Sequence, residues 1–146
     1  MRVVESPNDP TRRIVRLLLV DDHELVVLAM TAAFDDVPDI ELVGTAATAE
    51  EAVDMTVRLR PDVVLLDRRL PDGDGVEAIE RLRAVAPGVR VVIFTGAADR
   101  STADRVAAAG GAGVLLKAGA LEDMLDTIRT VAAGRQSFDV RSSGRR

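Results

Sequence analysis

Cysteine, tryptophan and tyrosine are absent from the 146-residue chain, and histidine occurs once, as His23. The lack of cysteine excludes a disulfide framework, a thiolate metal site and a cysteine nucleophile. A single histidine argues against a zinc site and permits a serine triad only with His23 as its base. Aromatic residues make up 2% and the formal net charge is −5. Without stacking platforms or a basic surface, we expect no direct DNA binding.

Long hydrophobic runs are missing as well. The longest, residues 25–34, is much shorter than the roughly 18 apolar residues of a membrane span. Residues 1–13 lack the apolar segment of a secretory signal, so we expect a cytoplasmic protein without membrane contact. We predict a flexible N-terminal extension over residues 1–13, one folded domain over residues 14–133, and a flexible C-terminal tail over the arginine-, serine- and glycine-containing residues 134–146.

Short apolar runs alternate with helical patterns between residues 14 and 133. Strand-length runs cover residues 14–20, 40–45, 63–66, 89–94 and 114–116, and a helical pattern follows each of them. This alternation predicts repeated βαβ units. We therefore predict an α/β fold with a doubly wound, five-stranded parallel sheet of flavodoxin-like order 2-1-3-4-5 and helices on both faces. The predicted inward stripes are Val76, Ile79, Leu82 and Val85 in the third helix, and Leu121, Leu125, Ile128 and Val131 in the last.

Five polar side chains stand where predicted strands end. Asp21 and Asp22 follow the first strand, Asp67 the third, Thr95 the fourth and Lys117 the fifth. In an open parallel sheet, ligands bind outside the carboxyl ends of the strands, so we expect these residues to converge on one edge. Lys117 is the single lysine among 19 basic residues, which adds weight to its position there.

Clustered carboxylates of this kind repel one another unless a cation lies among them. Mg²⁺ prefers oxygen ligands and is typically held by one or two carboxylates together with phosphate oxygens. A carboxylate can itself be the nucleophile that forms an aspartyl phosphate, and a lysine and a hydroxyl supply the charge neutralisation that phosphoryl transfer needs. The set predicts a Mg²⁺-dependent phosphoryl site. Purely structural roles stay open for each residue alone: Asp21 and Asp22 as helix caps, Asp67 and Thr95 as turn residues.

Motifs in a fixed order carry a resemblance to a known family: Val20-Asp21-Asp22-His23, residues 63–67 with Pro71 and Gly75, Thr95, and Gly-Val-Leu-Leu-Lys at residues 113–117. Over about residues 14–133 the chain resembles the receiver domain of bacterial two-component response regulators, which has a CheY-like fold. The Asp-Asp-His motif, Arg69, and a Lys117 that is not followed by proline make it most similar to the NarL/FixJ-type subfamily. Each motif alone is weak, but the ordered set is specific.

The resemblance implies that Asp67 accepts a phosphoryl group from a histidine kinase or a phosphotransfer protein. It also implies that Asp22, Asp67 and the backbone carbonyl of Arg69 bind Mg²⁺, and that Asp21 helps to position the metal, often through water. We expect His23 to be a loop residue that tunes the pocket rather than a ligand. Because a receiver discharges only its own phosphoryl group, we do not expect an enzyme.

The resemblance further implies that Thr95 hydrogen-bonds the phosphoryl group and that Lys117 pairs with it.

Two positions depart from the family pattern. Val114 replaces an aromatic residue whose burial responds to phosphorylation, so we expect the signal to be weak or to be carried by backbone movement of residues 96–99. Arg68 replaces an apolar residue, and its side chain either lies beside the phosphoryl group or points to solvent.

The helix-turn-helix domain that normally follows in this subfamily is not in the sequence. We therefore expect output through contact with a downstream protein partner, and a homodimer stays open.

Two other functions also stay open. A degenerate receiver would bind partners without phosphorylation, which Val114 favours. A Mg²⁺-dependent phosphatase would use an aspartyl nucleophile, although such enzymes typically carry Asp-x-Asp where this chain has Asp21-Asp22-His23.

Overall fold

The computed structural model describes residues 13–138 of the chain. Strands and helices alternate along it: β1 (Val15–Val20), α1 (Glu24–Phe34), β2 (Ile40–Ala46), α2 (Ala49–Leu59), β3 (Val63–Asp67), β4 (Arg69–Leu70), β5 (Gly73–Asp74), α3 (Gly75–Val85), β6 (Arg90–Thr95), α4 (Arg100–Ala108), β7 (Gly113–Leu116), α5 (Leu121–Ala132) and β8 (Ser137–Phe138). Residues 1–12 of the predicted extension and residues 139–146 of the predicted tail lie outside the described residues.

Six strands form one parallel sheet in the order β2-β1-β3-β6-β7-β8, while β4 and β5 form a separate antiparallel ribbon. The first five strands of the sheet are the predicted ones, and their order confirms the predicted 2-1-3-4-5 arrangement. Val20 of β1 lies opposite Leu66 of β3, and Leu66 lies opposite Ile93 of β6. Because the strands are parallel, the carboxyl ends of β1, β3, β6 and β7 meet at one edge.

The sixth strand was not predicted. Ser137 and Phe138 pair in parallel with Gly113 and Val114 of β7, and the Ser137 N–H donates to the Ala112 carbonyl at 2.9 Å. Gly113 permits this approach, because a Cβ at that position would lie 2.1 Å from the Ser137 carbonyl oxygen. The expectation of flexible chain after residue 133 therefore does not hold for residues 137–138, since pairing there depends on a close backbone approach that composition does not reveal.

Side-chain caps begin α2 and α3. The Thr48 Oγ1 accepts from the Glu51 N–H at 3.0 Å, and the Glu51 carboxylate reaches back to the Ala47 N–H at 2.6 Å. The Asp74 Oδ1 accepts from the Val76 N–H at 2.8 Å. These bonds satisfy N–H groups that have no partner within the helix, and they start α3 directly beside the carboxyl end of β3.

Asp72 caps α2 a second time, from the loop between β4 and β5. Its Oδ1 accepts from the Ala49 N–H at 2.8 Å and its Oδ2 from the Glu50 N–H at 3.0 Å. These two hydrogen bonds hold the pKa of the Asp72 carboxyl below its usual value. The loop that follows Asp67 is thereby attached to the start of α2, a contact between segments that are 22 and 23 residues apart.

The sheet divides the core into two layers. On one face, α2, α3 and α4 pack on side chains that include Leu18, Val64, Leu66, Val91 and Ile93. On the other face, α1 and α5 pack on side chains that include Leu17, Leu19, Leu65, Val92 and Phe94. Successive residues of β3 and β6 therefore face opposite layers, and burial of each Leu or Ile side chain contributes roughly 1.5–3 kcal/mol.

The predicted inward stripes of α3 and α5 are wrong at one end each. Val85 is 42% exposed and Leu121 43% exposed. Val85 is the last residue of α3 and Leu121 the first of α5, and helical periodicity stops predicting burial where the chain leaves the helix. The other predicted positions are buried: Val76, Ile79, Leu82, Leu125, Ile128 and Val131.

Helix α1 contains the longest hydrophobic run of the sequence, residues 25–34, but several of its apolar side chains are exposed. Met30 and Phe34 pack into the core, while Leu25 and Leu28 are 81% and 66% exposed. The apolar composition of this segment therefore serves burial on one side of the helix only.

Candidate functional site

The carboxyl edge of the sheet collects the predicted residues. Asp21 directly follows β1, Asp67 and Thr95 are the last residues of β3 and β6, and Lys117 directly follows β7. Asp21, Asp67 and Thr95 are buried, and Asp22 is exposed. A further requirement lies at Gly75, the first residue of α3, where a Cβ would meet the Asp67 carbonyl oxygen at 2.3 Å. The turn after Asp67 thus needs a glycine there.

Lys117 joins the two buried carboxylates. Its Nζ donates a hydrogen bond to the Asp67 Oδ2 at 3.2 Å and forms an ion pair with the Asp21 Oδ2 at 3.1 Å. The same ammonium lies 5.4 Å from the centre of the Phe94 ring, within the range of a cation–π contact. The lysine therefore offsets the repulsion between two carboxylates that would otherwise be unfavourable to bury together.

His23 faces the same carboxylates from the start of α1. Its Nδ1 is 2.7 Å from the Asp21 Oδ1, 3.4 Å from the Asp22 Oδ1 and 3.6 Å from the Asp67 Oδ2. The hydrogen bond to Asp21 raises the pKa of His23. The sequence analysis expects His23 to tune the pocket, and these distances place its ring beside the three carboxylates.

Neither aspartate after β1 caps the helix that follows. His23 is the N-cap residue of α1, and no side chain accepts a capping hydrogen bond there. The Asp21 Oδ1 accepts from the His23 N–H at 2.9 Å instead. The interpretation of Asp21 and Asp22 as simple helix caps is therefore wrong.

The pKa values of the two buried carboxyl groups shift in opposite directions. Burial raises the pKa of Asp67, and the hydrogen bond from the Arg69 N–H, 3.3 Å from its Oδ1, opposes that effect only in part. Burial also acts to raise the pKa of Asp21, but hydrogen bonds from His23 and Lys117 outweigh it, so the pKa is lowered. Asp21 is therefore the more firmly ionised carboxylate of the pair.

The donor set suits a hard divalent cation. Ligand atoms of Asp21, Asp22, His23 and Asp67 all lie within 4.8 Å of one another. The Asp21 Oδ2 is buried, and its one close contact among the described residues is the ion pair with the Lys117 Nζ at 3.1 Å. Three carboxylates offer the oxygen ligands that Mg²⁺ prefers. The residues present therefore fit the metal that the site chemistry predicts.

Thr95 and Val114 have surroundings that differ from those of the acidic cluster. The Thr95 Oγ1 donates to the Ala97 carbonyl at 3.1 Å, and among the described contacts it makes no hydrogen bond to Asp67. Val114 is fully buried in the layer of α2, α3 and α4. The structure therefore places Thr95 at the correct edge, but with its hydroxyl engaged by the loop that follows β6.

Arg68 does not point to solvent. Its side chain is half-buried, and its Nη1 donates to the Thr102 Oγ1 in the first turn of α4 at 3.1 Å. Thr102 is buried, and its N–H and hydroxyl both lie within hydrogen-bonding distance of the Asp99 Oδ1, at 2.9 and 3.2 Å. Sequence reasoning missed this contact, because it joins residues 34 positions apart.

A parallel α/β sheet with buried aspartates and a lysine at its carboxyl edge defines a receiver-type site. Residues 17–129 match the family model of the response regulator receiver domain. The chain belongs to this family and is a receiver domain of two-component signalling. Its relatives are LuxR/NarL-type response regulators, as the resemblance had indicated.

Two curated relatives illustrate the sequence similarity. The response regulator GacA of Pseudomonas aeruginosa is 35% identical over 122 residues, which cover 84% of this chain and 57% of the relative. The transcriptional regulatory protein LiaR of Bacillus subtilis is 31% identical over 131 residues, which cover 90% of this chain and 62% of the relative. The chain thus spans little more than half the length of these relatives.

Solved structures show the same fold. A LuxR-family two-component response regulator from Aurantimonas sp. SI85-9A1 aligns with a TM-score of 0.81 and 30% identity, covering 86% of this chain and 89% of that one. The receiver domain of the putative response regulator NarL from Mycobacterium tuberculosis aligns with a TM-score of 0.78 and 27% identity, covering 84% and 98%. The predicted CheY-like fold is therefore confirmed.

The helices of the described segment are short, with 9 to 12 residues each. Between residues 13 and 138, none combines the length and the apolar composition that a membrane crossing needs.

Proposed function

We propose that this receiver is a phosphoacceptor whose Asp67 takes a phosphoryl group from a histidine kinase or a phosphotransfer protein. The observation that carries the proposal is the pairing of Asp67 with the single lysine of the chain, 3.2 Å away, beside a second buried carboxylate. A carboxylate that is buried but held by a cation is a usable nucleophile, and the same cation can stay with the negative charge of the product.

The proposed transfer step uses Asp67, Lys117 and Thr95. An Asp67 oxygen attacks phosphorus, the bond from phosphorus to the donor's histidine nitrogen breaks, and that nitrogen takes up a proton to leave as neutral histidine. Lys117 is placed to neutralise a phosphoryl oxygen, and Thr95 to donate to another once its hydroxyl leaves the Ala97 carbonyl. Phosphoryl transfer depends mainly on such positioning and charge stabilisation.

Magnesium completes the proposed site. Receiver domains are generally Mg²⁺-dependent, and an acidic cluster is present here. Asp22, Asp67 and the backbone carbonyl of Arg69 would hold the ion, with Asp21 positioning it, often through water. When bound, Mg²⁺ supplies positive charge to the phosphoryl oxygens and relieves the repulsion among the carboxylates.

The proposal also covers the partners and the output of the chain. Receiver domains interact with histidine kinases or phosphotransfer partners, and we place the output of this chain in contact with a downstream protein in the cytoplasm. Direct DNA binding by this chain is not part of the proposal, because the net charge is −5. Nor is catalysis on other phosphate esters, since the chain discharges only its own phosphoryl group.

Intact-mass spectrometry after incubation with acetyl phosphate tests the proposal. We expect one phosphoryl adduct that requires Mg²⁺, is absent from Asp67→Asn, and is retained by Asp36→Asn, a matched change at an exposed loop aspartate. A folded wild-type protein that gains no adduct under any condition would refute phosphorylation. Sustained release of inorganic phosphate from simple phosphate monoesters would indicate a phosphatase instead.

A phosphorylation-independent binding module is the second candidate function. The observation that favours it is Val114, a buried aliphatic residue where the family pattern has an aromatic. Partner affinity that is equal for wild-type protein and Asp67→Asn, with and without acetyl phosphate, would support this second function. A change in affinity that requires Asp67 would exclude it.

A further inference from the structure

The first turn of α4 is tied to the residue that follows the phosphoacceptor. The Arg68 side chain donates to Thr102 at 3.1 Å, and Thr102 in turn contacts the Asp99 cap of α4 at 2.9 and 3.2 Å. The backbone of Arg68 is held on both sides, since its N–H donates to the Phe94 carbonyl at 3.3 Å and its carbonyl accepts from the Gly75 N–H at 2.6 Å. The guanidinium is therefore the movable part of this connection.

Asp67, the last residue of β3, and Arg68, which follows it, contact different parts of the molecule. The Asp67 side chain contacts Lys117, whereas the Arg68 side chain contacts Thr102 of α4. Their Cα atoms are nevertheless only about 3.8 Å apart across the peptide. A charge added to Asp67 is therefore added to the neighbour in sequence of the arginine that contacts Thr102.

We propose that Arg68 is the positioning residue through which phosphorylation of Asp67 reaches α4. In the unphosphorylated protein, the guanidinium restrains the first turn of the helix through Thr102. On phosphorylation, it leaves the Thr102 hydroxyl for the phosphoryl oxygens and releases that turn. This inference rests on the proposed function, and it assigns to Arg68 the relay that Val114, which has no aromatic ring, does not provide.

The competition between the two acceptors favours release. Thr102 offers a neutral hydroxyl, whereas a phosphoryl group adds about −1.5 to −2 charge and several strong acceptor oxygens. Charge-assisted hydrogen bonds of an arginine to phosphate are roughly twice as strong as those to neutral acceptors. After release, the buried Thr102 hydroxyl still has Asp99 as its partner, so the change leaves no buried polar atom unsatisfied.

Amide hydrogen exchange at residues 102–104 tests the proposal, with beryllofluoride and Mg²⁺ as the phosphoryl analogue. For wild-type protein we expect exchange to become about fivefold faster on adding the analogue, the factor for losing one ordinary hydrogen bond. Arg68→Met should exchange about fivefold faster than wild type without the analogue and should not respond further. Arg68→Lys, which keeps a cationic donor, should restore part of the response, and Arg58→Met, at an exposed position on α2, should behave as wild type.

Fluorine NMR measures how much of the analogue is bound at Asp67 in each variant. This measurement separates a failure of the inference from a failure of the proposed function. If the analogue binds wild type and Arg68→Met equally and both respond equally in α4, the relay is refuted. If Arg68→Met without the analogue exchanges as wild type does, the tether itself is refuted. If the analogue does not bind the wild-type protein at all, the proposed function fails and the relay fails with it, while the comparison without analogue still decides the tether.

Discussion

Lys117 stands between two carboxylates with different surroundings. Asp21 receives hydrogen bonds from His23, which lower its pKa, whereas burial of Asp67 outweighs its contacts and raises its pKa. The ammonium contacts both, at 3.1 and 3.2 Å. Burial, the hydrogen bond from the Arg69 N–H, the neighbouring Asp21 carboxylate and the Lys117 ammonium therefore act together on the pKa of the nucleophile.

Replacing the lysine should change the titration of Asp67. In Lys117→Met we expect the pKa of Asp67 to rise further, because the cation that favours its ionised form is gone while burial remains. Carboxyl carbon NMR across an acid titration without Mg²⁺ measures this directly. Lys117→Arg, which keeps the charge, should titrate close to wild type. An unchanged Asp67 pKa in Lys117→Met would show that the ion pair contributes nothing.

The site residues could be predicted because each is marked by its place at a strand end. Asp21, Asp67, Thr95 and Lys117 needed only the strand boundaries and the rule that parallel strands align their carboxyl ends. The partner of Arg68 could not be predicted in this way. Which acceptor a long side chain reaches depends on how α4 packs, and the local sequence contains no signal for it.

At the scale of elements, α2 receives two caps, one of which comes from outside the helix. Thr48 is local and visible in the sequence, whereas Asp72 reaches Ala49 and Glu50 from the loop after Asp67. We expect Asp72→Ala to lower the free energy of unfolding by about 1 kcal/mol, as the loss of a helix cap does. Urea unfolding followed by circular dichroism checks this.

The control for the Asp72 experiment is Asp36→Ala, which removes a negative charge from an exposed loop position. We expect its urea midpoint to stay close to that of wild type. Equal midpoints for Asp72→Ala and Asp36→Ala would mean that the second cap does not stabilise α2.

The sixth strand depends on a glycine in its neighbour. In Gly113→Ala the new Cβ would lie 2.1 Å from the Ser137 carbonyl oxygen, so we expect β8 to separate from β7. Faster hydrogen exchange of the Ser137 amide, which donates to Ala112 at 2.9 Å, would report this. Gly88→Ala is the matched control, since no atom lies within 4 Å of a Cβ there. Unchanged protection of Ser137 in Gly113→Ala would contradict the expectation.

At the scale of the whole molecule, one ion pair links the last helix to the start of β2. Arg129 of α5 donates to both carboxylate oxygens of Asp39, at 2.7 and 2.9 Å. The hydrogen bonds from Arg129 lower the pKa of Asp39 from the ordinary value of 3.8. Both side chains are partly exposed, at 40% and 46%, so solvent screening keeps the contribution to roughly 0.5–1 kcal/mol.

The sign of the pH dependence follows from the lowered pKa. A carboxylate that is more acidic in the folded state stabilises the fold above its unfolded pKa and loses that effect as pH falls through its folded pKa. We therefore expect wild type to be more stable than Asp39→Asn at neutral pH, and the difference to shrink below the ordinary pKa of 3.8. Thermal unfolding of both proteins from pH 7 to pH 3 tests this. A difference that is constant over the whole range would refute the role of the ion pair.

The sequence predicts features that depend on neighbouring residues better than contacts between segments that are far apart in the chain. The strands, helices and two-layer core follow from patterns along the chain, and the strand order follows from the usual arrangement of a doubly wound sheet. The exposure of Val85 and Leu121 was mispredicted at helix ends, where periodicity no longer determines the environment. The β8 pairing and the Asp39–Arg129 contact join segments far apart in the chain, so only the assembled fold reveals them.

The single lysine also makes the site chemically addressable. Amine-selective acylating reagents attack free, unprotonated amines, and in the described part of the chain Lys117 carries the only side-chain amine. Its side chain is 23% exposed and is held by Asp21 and Asp67. The degree of labelling at this one position therefore serves as a built-in gauge of how tightly the two carboxylates hold the ammonium, without any engineered probe.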